Sequence, residues 1–204
     1  FNSMKEIGND ILFFPKILGD KLLEKLNTLI DNNYKIIFNR DLRYAEFPFE
    51  GIRGRIEIYK FPDLLKSWNN FWFNKIEDQM FNYYFKYLSD KNQIQGYKTH
   101  AKTDWKDVFI QVYNDQNTFE LNTNIHCDFS GITVVACLEN GYEGGELSLP
   151  KQKVNIKLTK GDLILFPGSH THPHGVNKLI SGERRVLVAQ SMGVKQLHKF
   201  GKEI

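Results

Sequence analysis

The spacing of apolar residues predicts that the first part of the chain is largely helical. In residues 15–32 they recur at steps of three and four, with Asp20 as a plausible N-cap, which predicts an amphipathic helix. Residues 35–38 and 53–59 are predicted to be strands, and the second alternates as Arg55, Ile56, Glu57 and Ile58. A second helical pattern begins near Pro62, a residue favoured at the first helical position, and continues to about residue 88. Its aromatic stripe is typical of a helix that packs against a sheet.

Short β-rich segments separated by Gly, Asn and Pro make up most of the chain after residue 107. The predicted strands are 108–113, 124–128, 131–138, 145–149, 153–158, 162–166, 174–180 and 184–191. No helical pattern lies between them, which favours an antiparallel double-sheet roll over a βαβ fold. The predicted fold class is mainly β with N-terminal helices, a double-stranded β-helix (jelly roll) braced by α-helices. We expect one domain over 1–204, with 1–106 as support, including a polar loop at 90–106, and 107–192 as the roll.

Composition and charge exclude several functional classes. A chain of 204 residues with 41 % hydrophobic residues can bury one substantial core. Its net charge of +3 is dispersed without a concentrated basic tract, so a nucleic-acid or membrane-surface partner is not expected. Two cysteines are too few for a disulfide framework and fit a reducing compartment. With no secretory signal or membrane-length apolar run evident, we expect a soluble, cytoplasmic protein.

The strongest chemical signal is a histidine and a carboxylate two positions apart. His126 and Asp128 lie at the end of a predicted strand, so their side chains point to the same face. A second cluster, at residues 167–176, contains three more histidines, His170, His172 and His174. Two imidazoles and one carboxylate form the facial triad of non-haem Fe(II) oxygenases, which leaves positions open for cosubstrate and oxygen. The sequence therefore predicts an iron site that joins the two segments.

Among the three histidines of the second cluster, His174 is favoured as the third ligand. It is followed by the Gly-Val that begins the next strand, and Arg184 comes ten residues later. His170 and His172 remain alternatives, because ligand identity depends on geometry. A guanidinium such as that of Arg184 can hold a dicarboxylate by paired, charge-assisted hydrogen bonds. Arg185 is its rival, and because neighbours on a strand face opposite ways, only one of the two can enter the site.

The segment 124–191 resembles the catalytic domain of the 2-oxoglutarate/Fe(II) dioxygenases, in particular the prolyl 4-hydroxylase-like branch. Five motifs match in order, which is far more specific than any one of them. They are His126-x-Asp128, Thr133-Val-Val-Ala-Cys-Leu-Glu-Asn140, Gly144-Gly-Glu-Leu-x-Leu-Pro150, Gly161-Asp-Leu-x-x-Phe-Pro167, and His174-Gly-Val with Gly182-x-Arg184.

The resemblance implies roles for individual side chains. It implies that iron is bound by His126, Asp128 and His174. It also implies that Arg184 binds the distal carboxylate of 2-oxoglutarate, with the hydroxyls of Thr133 and Tyr113 nearby. The chain departs from the family where Cys137 replaces a usual Tyr, Leu147 a common Thr, and Lys178-Leu179 a usual Pro-Val. None of these departures removes a ligand.

The activity that the resemblance implies is hydroxylation of a protein or peptide residue such as proline. It would use Fe(II), 2-oxoglutarate and O₂, with ascorbate as a further candidate cofactor. One alternative is a hydroxylase of a free amino acid or other small molecule on the same fold. Another is a cupin-like metal-binding module without turnover, against which the position of Arg184 argues.

Overall fold

The computed structural model describes residues 4–38, 54–84, 103–114 and 123–191. Within these residues the chain forms three α-helices and two antiparallel sheets, which confirms the mainly β class with N-terminal helices. Most of the predicted loop 90–106 lies outside the described residues. None of the helices that the structure describes is long and apolar enough to cross a membrane.

The helices follow the predicted apolar stripes, with different ends. They are α1 (Asp20–Phe38), α2 (Pro62–Lys75) and α3 (Glu77–Tyr84). The predicted strand at 35–38 is wrong, because these residues form the last turn of α1, where Ile37 packs into the core. The helix predicted from Pro62 is interrupted at Ile76, although the bonds from Ile76 N–H to Trp72 O and from Met80 N–H to Ile76 O span the break.

Twelve strands lie within the described residues. They are β1 (Lys5–Gly8), β2 (Ile11–Phe14), β3 (Arg55–Glu57), β4 (Trp105–Asn114), β5 (Thr123–His126), β6 (Ile132–Cys137), β7 (Tyr142–Gly144), β8 (Leu147–Leu149), β9 (Val154–Ile156), β10 (Leu163–Pro167), β11 (His174–Val176) and β12 (Leu179–Ser191). The major sheet has the order β1-β2-β10-β6-β12-β4-β3, with β7 also paired to β12. The minor sheet has the order β5-β11-β8-β9.

Strands from the first part of the chain extend the major sheet on both sides. The hairpin β1–β2, which the apolar pattern did not predict, pairs with β10. On the other side, β3 pairs with β4, where Arg55 lies opposite Gln111. The sheet that carries the roll is thus completed by residues that come long before it in sequence.

Alternation along the major sheet separates two hydrophobic layers. On β4, Val108, Ile110 and Val112 belong to the layer that packs against the helices, with Trp68 and Trp72 of α2 at its centre. The opposite face packs against the minor sheet through a second cluster that includes Tyr113, Val135, Phe166, Val186 and Leu147. Side chains on this inner face are the ones that can reach a site between the sheets.

Candidate active site

Two strands of the minor sheet and the loop after one of them bring three ligand-type side chains together. His126 ends β5, His174 begins β11, and the two residues are partners in the antiparallel register. Their ring centroids are 4.6 Å apart. Asp128 follows β5 and lies between them, with Oδ1 3.1 Å from Nε2 of His126 and Oδ2 3.2 Å from Nε2 of His174. One donor atom from each of the three residues lies within 4.8 Å of the others.

Backbone carbonyls determine which nitrogen each imidazole presents. Nδ1 of His126 donates to Asn124 O at 2.7 Å, and Nδ1 of His174 donates to His172 O at 3.1 Å. Carbonyl oxygens only accept, so Nδ1 carries a proton, and Nε2, which faces Asp128, is the nitrogen that can bind a metal ion once it has released its own proton. Such bonds to the second ring nitrogen are the usual way in which proteins orient metal-binding histidines.

The Asp128 carboxylate is held in its ionised form. Burial favours the neutral acid, but hydrogen bonds from His126 and His174, assisted by Thr133, more than offset it and lower the pKa of Asp128 well below its ordinary value. Thr133 Oγ1 donates to Oδ2 at 2.5 Å, and Ser130 Oγ lies 3.1 Å from Thr133 Oγ1. The Thr133 hydroxyl therefore positions a carboxylate of the protein in this structure, and its expected place beside 2-oxoglutarate stays a prediction.

Gly168 lies directly behind this hydroxyl chain. A Cβ at residue 168 would come within 1.9 Å of Ser130 Oγ and 2.8 Å of Thr133 Oγ1. We expect Gly168→Ala to displace both hydroxyls and weaken metal affinity by about 10–100-fold, the usual effect of losing an outer partner of a ligand. Anaerobic titration with Mn(II) measures the change. Gly19→Ala, where a Cβ meets nothing within 4 Å, is the matched control, and equal affinities in both variants would contradict the prediction.

The strand alternation separates Arg184 from Arg185. Arg184 lies opposite Tyr113 on the inner face, is 1 % exposed, and has its guanidinium carbon 5.1 Å from the Tyr113 ring centroid. Its Nε and one terminal nitrogen are buried without a hydrogen-bond partner among the described residues. Arg185 instead forms ion pairs with Glu183 of the same strand at 2.6 Å and with Asp31 at 2.8 Å, and the second of these ties β12 to α1.

The Gly144-Gly145 motif makes room for Arg184. Gly145 has φ +65°, and a Cβ there would lie 2.9 Å from Arg184 Cδ. Tyr142, whose hydroxyl donates to Leu158 O at 2.6 Å, lies in the same region, and burial raises its pKa, so the hydroxyl stays protonated. Cys137, at the position of a usual family tyrosine, is fully buried, 3.9 Å from the Tyr142 hydroxyl.

One cavity of about 230 Å³ connects the three ligand-type residues with Arg184. Tyr113 lines it, and its hydroxyl is 3.0 Å from Thr123 Oγ1, so its role toward a cosubstrate also stays a prediction. Among further polar side chains, the cavity is lined by Arg55, Gln111 and Gln190, which sequence reasoning missed. The alternation Arg55-Ile-Glu57 could have predicted that Arg55 faces the cavity. Ile56 packs into the helix-facing layer, so its strand neighbour Arg55 points to the opposite, inner face of the sheet.

The other two histidines of the second cluster have different positions. His172 is buried and bonds Asn9 O through Nε2 at 2.8 Å and Thr171 Oγ1 through Nδ1 at 2.9 Å. It ties the loop before β11 to the N-terminal hairpin, and its own carbonyl orients His174. His170 is exposed, and its carbonyl accepts a bond from Lys151. The structure thus brings His174, and neither of these two, to His126 and Asp128.

The donor set fits a ferrous ion and the pocket fits a keto diacid. Two imidazole nitrogens and one carboxylate on one side of a point are the ligands of mononuclear non-haem iron. A buried guanidinium with unpartnered N–H groups is costly unless an anion binds to it. The His-Asp-His ligand set and the Arg184 guanidinium together therefore fit Fe(II) and 2-oxoglutarate.

Sequence comparison identifies the family of this part of the chain. Residues 92–190, just under half of the chain, match the model of the 2OG-Fe(II) oxygenase superfamily. This segment belongs to the 2OG-Fe(II) oxygenase superfamily. Oxygenases of this kind use Fe(II), 2-oxoglutarate and O₂. No curated protein sequence matches the chain.

Solved structures with the same fold support the jelly-roll architecture of this chain. A prolyl hydroxylase from Trichoplax adhaerens, in complex with a hypoxia inducible factor oxygen degradation domain peptide fragment, has a TM-score of 0.60 at 14 % identity, covering 92 % of this chain and 85 % of its own. A prolyl-4-hydroxylase from Pseudomonas putida has a TM-score of 0.55 at 17 % identity, with 89 % and 91 % covered. A viral collagen prolyl hydroxylase from Paramecium Bursaria Chlorella virus-1 has 0.50 at 15 %, with 94 % and 95 % covered. At these identities the likeness shows the fold.

Proposed function

We propose that this chain is a 2-oxoglutarate-dependent hydroxylase of peptide residues, with proline as the first candidate, and that His126, Asp128 and His174 bind its iron. The observation that supports it most is one cavity that holds the His-Asp-His set and the buried Arg184, two of whose nitrogens have no hydrogen-bond partner among the described residues. A module that only bound metal would have no use for that arginine. Proline is supported by the three prolyl hydroxylases of similar fold, one of which holds a peptide.

Each protein group has a separate task in this proposal. Bound Fe(II) supplies the oxidation chemistry, in which 2-oxoglutarate and O₂ become succinate and CO₂ and one oxygen atom enters a substrate C–H bond. Arg184 holds the far carboxylate of 2-oxoglutarate, and the ring of Tyr113 lies against the guanidinium at 5.1 Å. Thr133 and the carbonyls of Asn124 and His172 keep the ligand atoms in place. The chain's contribution is thus positioning around the cofactor.

Succinate formation from 2-oxoglutarate, dependent on added Fe(II), tests the reaction type. A panel of proline peptides and free amino acids, scored by mass spectrometry for one added oxygen atom, then tests the substrate. We expect gain of oxygen on peptides. Gain on free amino acids alone would identify a small-molecule hydroxylase instead, and a protein that binds metal without forming succinate would be the module without turnover.

The pH dependence of metal binding follows from the bond between His126 and Asp128. That hydrogen bond raises the pKa of His126 above its ordinary value of 6.5, outweighing the opposing effect of burial. A protonated imidazole cannot ligate, so metal affinity is constant above the raised pKa and falls about tenfold per pH unit below it. The decline should begin above pH 6.5.

Mn(II) titration across a series of buffers measures this profile. His170→Ala, at an exposed histidine away from the site, should leave the profile unchanged. Affinity that stays constant well below the ordinary histidine pKa would show that His126 is not a ligand.

A further inference from the structure

We propose that Arg55 is a specificity-determining residue that binds a carboxylate of the substrate, so that the preferred peptide carries an acidic group beside the hydroxylated residue. This inference rests on the proposed function and names its substrate class. It concerns a second arginine of the same cavity, two strands away from Arg184 in the major sheet. The proposal depends on the position of Arg55, on how its guanidinium is held, and on which charge faces the cavity.

Strand pairing places Arg55 on the inner face, at the edge of the major sheet. Arg55 lies opposite Gln111 of β4, and Gln111 lies opposite Val186 of β12. Neighbouring strands are about 4.8 Å apart, so the backbone of β3 is about 10 Å from that of β12, which carries Arg184. Both arginines line the same cavity as His126, Asp128 and His174. Arg55 is therefore within the site but separate from the predicted cosubstrate anchor.

Two neighbours hold the Arg55 guanidinium before any ligand arrives. Nε lies 2.5 Å from Glu57 Oε1, and the guanidinium carbon is 3.6 Å from the centroid of the Phe109 ring. The Arg55 side chain is 17 % exposed, so it is largely shielded from water. An arginine has five N–H donors, and the bond to Glu57 occupies the one on Nε. The terminal nitrogens remain as a preorganised fork for a carboxylate.

The charge that faces the cavity is positive on this side. Arg55 lines the cavity, whereas its partner Glu57 does not. Two strands away, Arg184 is deeper, at 1 % exposure, and in the proposed function it binds the far carboxylate of 2-oxoglutarate. The guanidinium of Arg55, at the sheet edge, is then available to bind an anionic group of the substrate. The shared chemistry is a carboxylate, from either an acidic side chain or a free chain terminus.

Three proline peptides separate these sources. The first has glutamate beside the proline and an amidated end, the second has glutamine there and an amidated end, and the third has glutamine and a free C-terminal carboxylate. Binding is measured by calorimetry without O₂, to protein loaded with Mn(II) and 2-oxoglutarate. We expect one carboxylate peptide to bind about tenfold or more tighter than the neutral one, the size of one charge-assisted bond in a shielded site. Whichever carboxylate peptide gains affinity identifies the source.

Arg55→Gln should remove the preference, and Lys106→Gln, which removes one exposed positive charge from β4, should keep it. Because Arg55→Gln leaves Glu57 buried without its partner, the neutral pair Arg55→Gln/Glu57→Gln is tested beside it. Equal binding of all peptides by the wild type, no binding of any, or a preference that survives in both Arg55 variants would overturn the assignment. Binding of 2-oxoglutarate by the wild type, measured separately, shows whether the proposed function itself holds.

Discussion

Asp128→Ala is expected to abolish iron-dependent succinate formation. Asp128 is the anionic member of the ligand set and contacts both imidazoles, at 3.1 and 3.2 Å. Its removal leaves two neutral ligands and a Thr133 hydroxyl without its acceptor. Loss of an outer partner already lowers metal affinity by about 10–100-fold, so loss of a ligand should exceed about a hundredfold. Anaerobic metal titration and a succinate assay measure the two effects.

The control for this variant is an exposed carboxylate elsewhere. Asp104→Ala removes the same charge from the surface before β4 and should leave metal affinity and succinate formation near wild type. Turnover at the wild-type rate in Asp128→Ala would mean that these three residues do not form the iron site.

Arg184→Ala is expected to weaken 2-oxoglutarate binding by more than about a hundredfold while metal affinity changes little. Removing one partner of a buried charge pair costs about 2–5 kcal/mol, because the other charge is left unpaired. Within the described residues the hydrogen bonds and ion pairs of the three ligand-type residues do not include Arg184, so their geometry should persist. Titrating Mn(II) and 2-oxoglutarate separately distinguishes the two affinities.

The neighbouring arginine provides the matched control. Arg185→Ala removes one ion pair within β12 and one between β12 and α1, so it should lower the thermal unfolding midpoint but keep 2-oxoglutarate affinity. The opposite result, normal 2-oxoglutarate binding in Arg184→Ala and weak binding in Arg185→Ala, would assign the anchor to Arg185. Arg184→Lys, which keeps the charge but loses the paired N–H geometry, should be intermediate.

Local periodicity was enough to predict the parts of the site that lie on regular strands. The two-residue spacing of His126 and Asp128 predicted that they meet, although Asp128 lies in the loop just after β5, and alternation allowed only one of Arg184 and Arg185 to face inward. The structure brings His174 to that pair and turns Arg184 into the cavity. These features depend on backbone geometry that each short segment determines for itself.

Long-range contacts account for what the sequence did not predict. The interruption at Ile76 is adjacent to Glu77, whose buried carboxylate accepts bonds from the backbone and side chain of Thr103. The bond from Thr133 to Asp128 requires a loop whose shape no periodicity describes. Strands of three or four residues, such as β1 and β3, are too short for a pattern to stand out, although Arg55 lies on one of them. For Glu77 and for β3 the deciding partner is distant in sequence, whereas for Asp128 it lies five positions away across an irregular loop.

The segment that matches the family model is shorter than the part of the chain that forms the major sheet, because β2 pairs with β10 and β3 pairs with β4. A fragment cut to residues 92–190 would keep every proposed ligand and Arg184, yet it would lose both flanking strands and the helices that cover the sheet. Two open sheet edges and a bare apolar face favour association between copies rather than a monomeric enzyme. It would also lose the carbonyl of Asn9, which holds His172 from 163 positions away. The segment that matches the family model therefore contains the proposed site residues. The stability of the sheet that carries them depends on strands and helices that come much earlier in the chain.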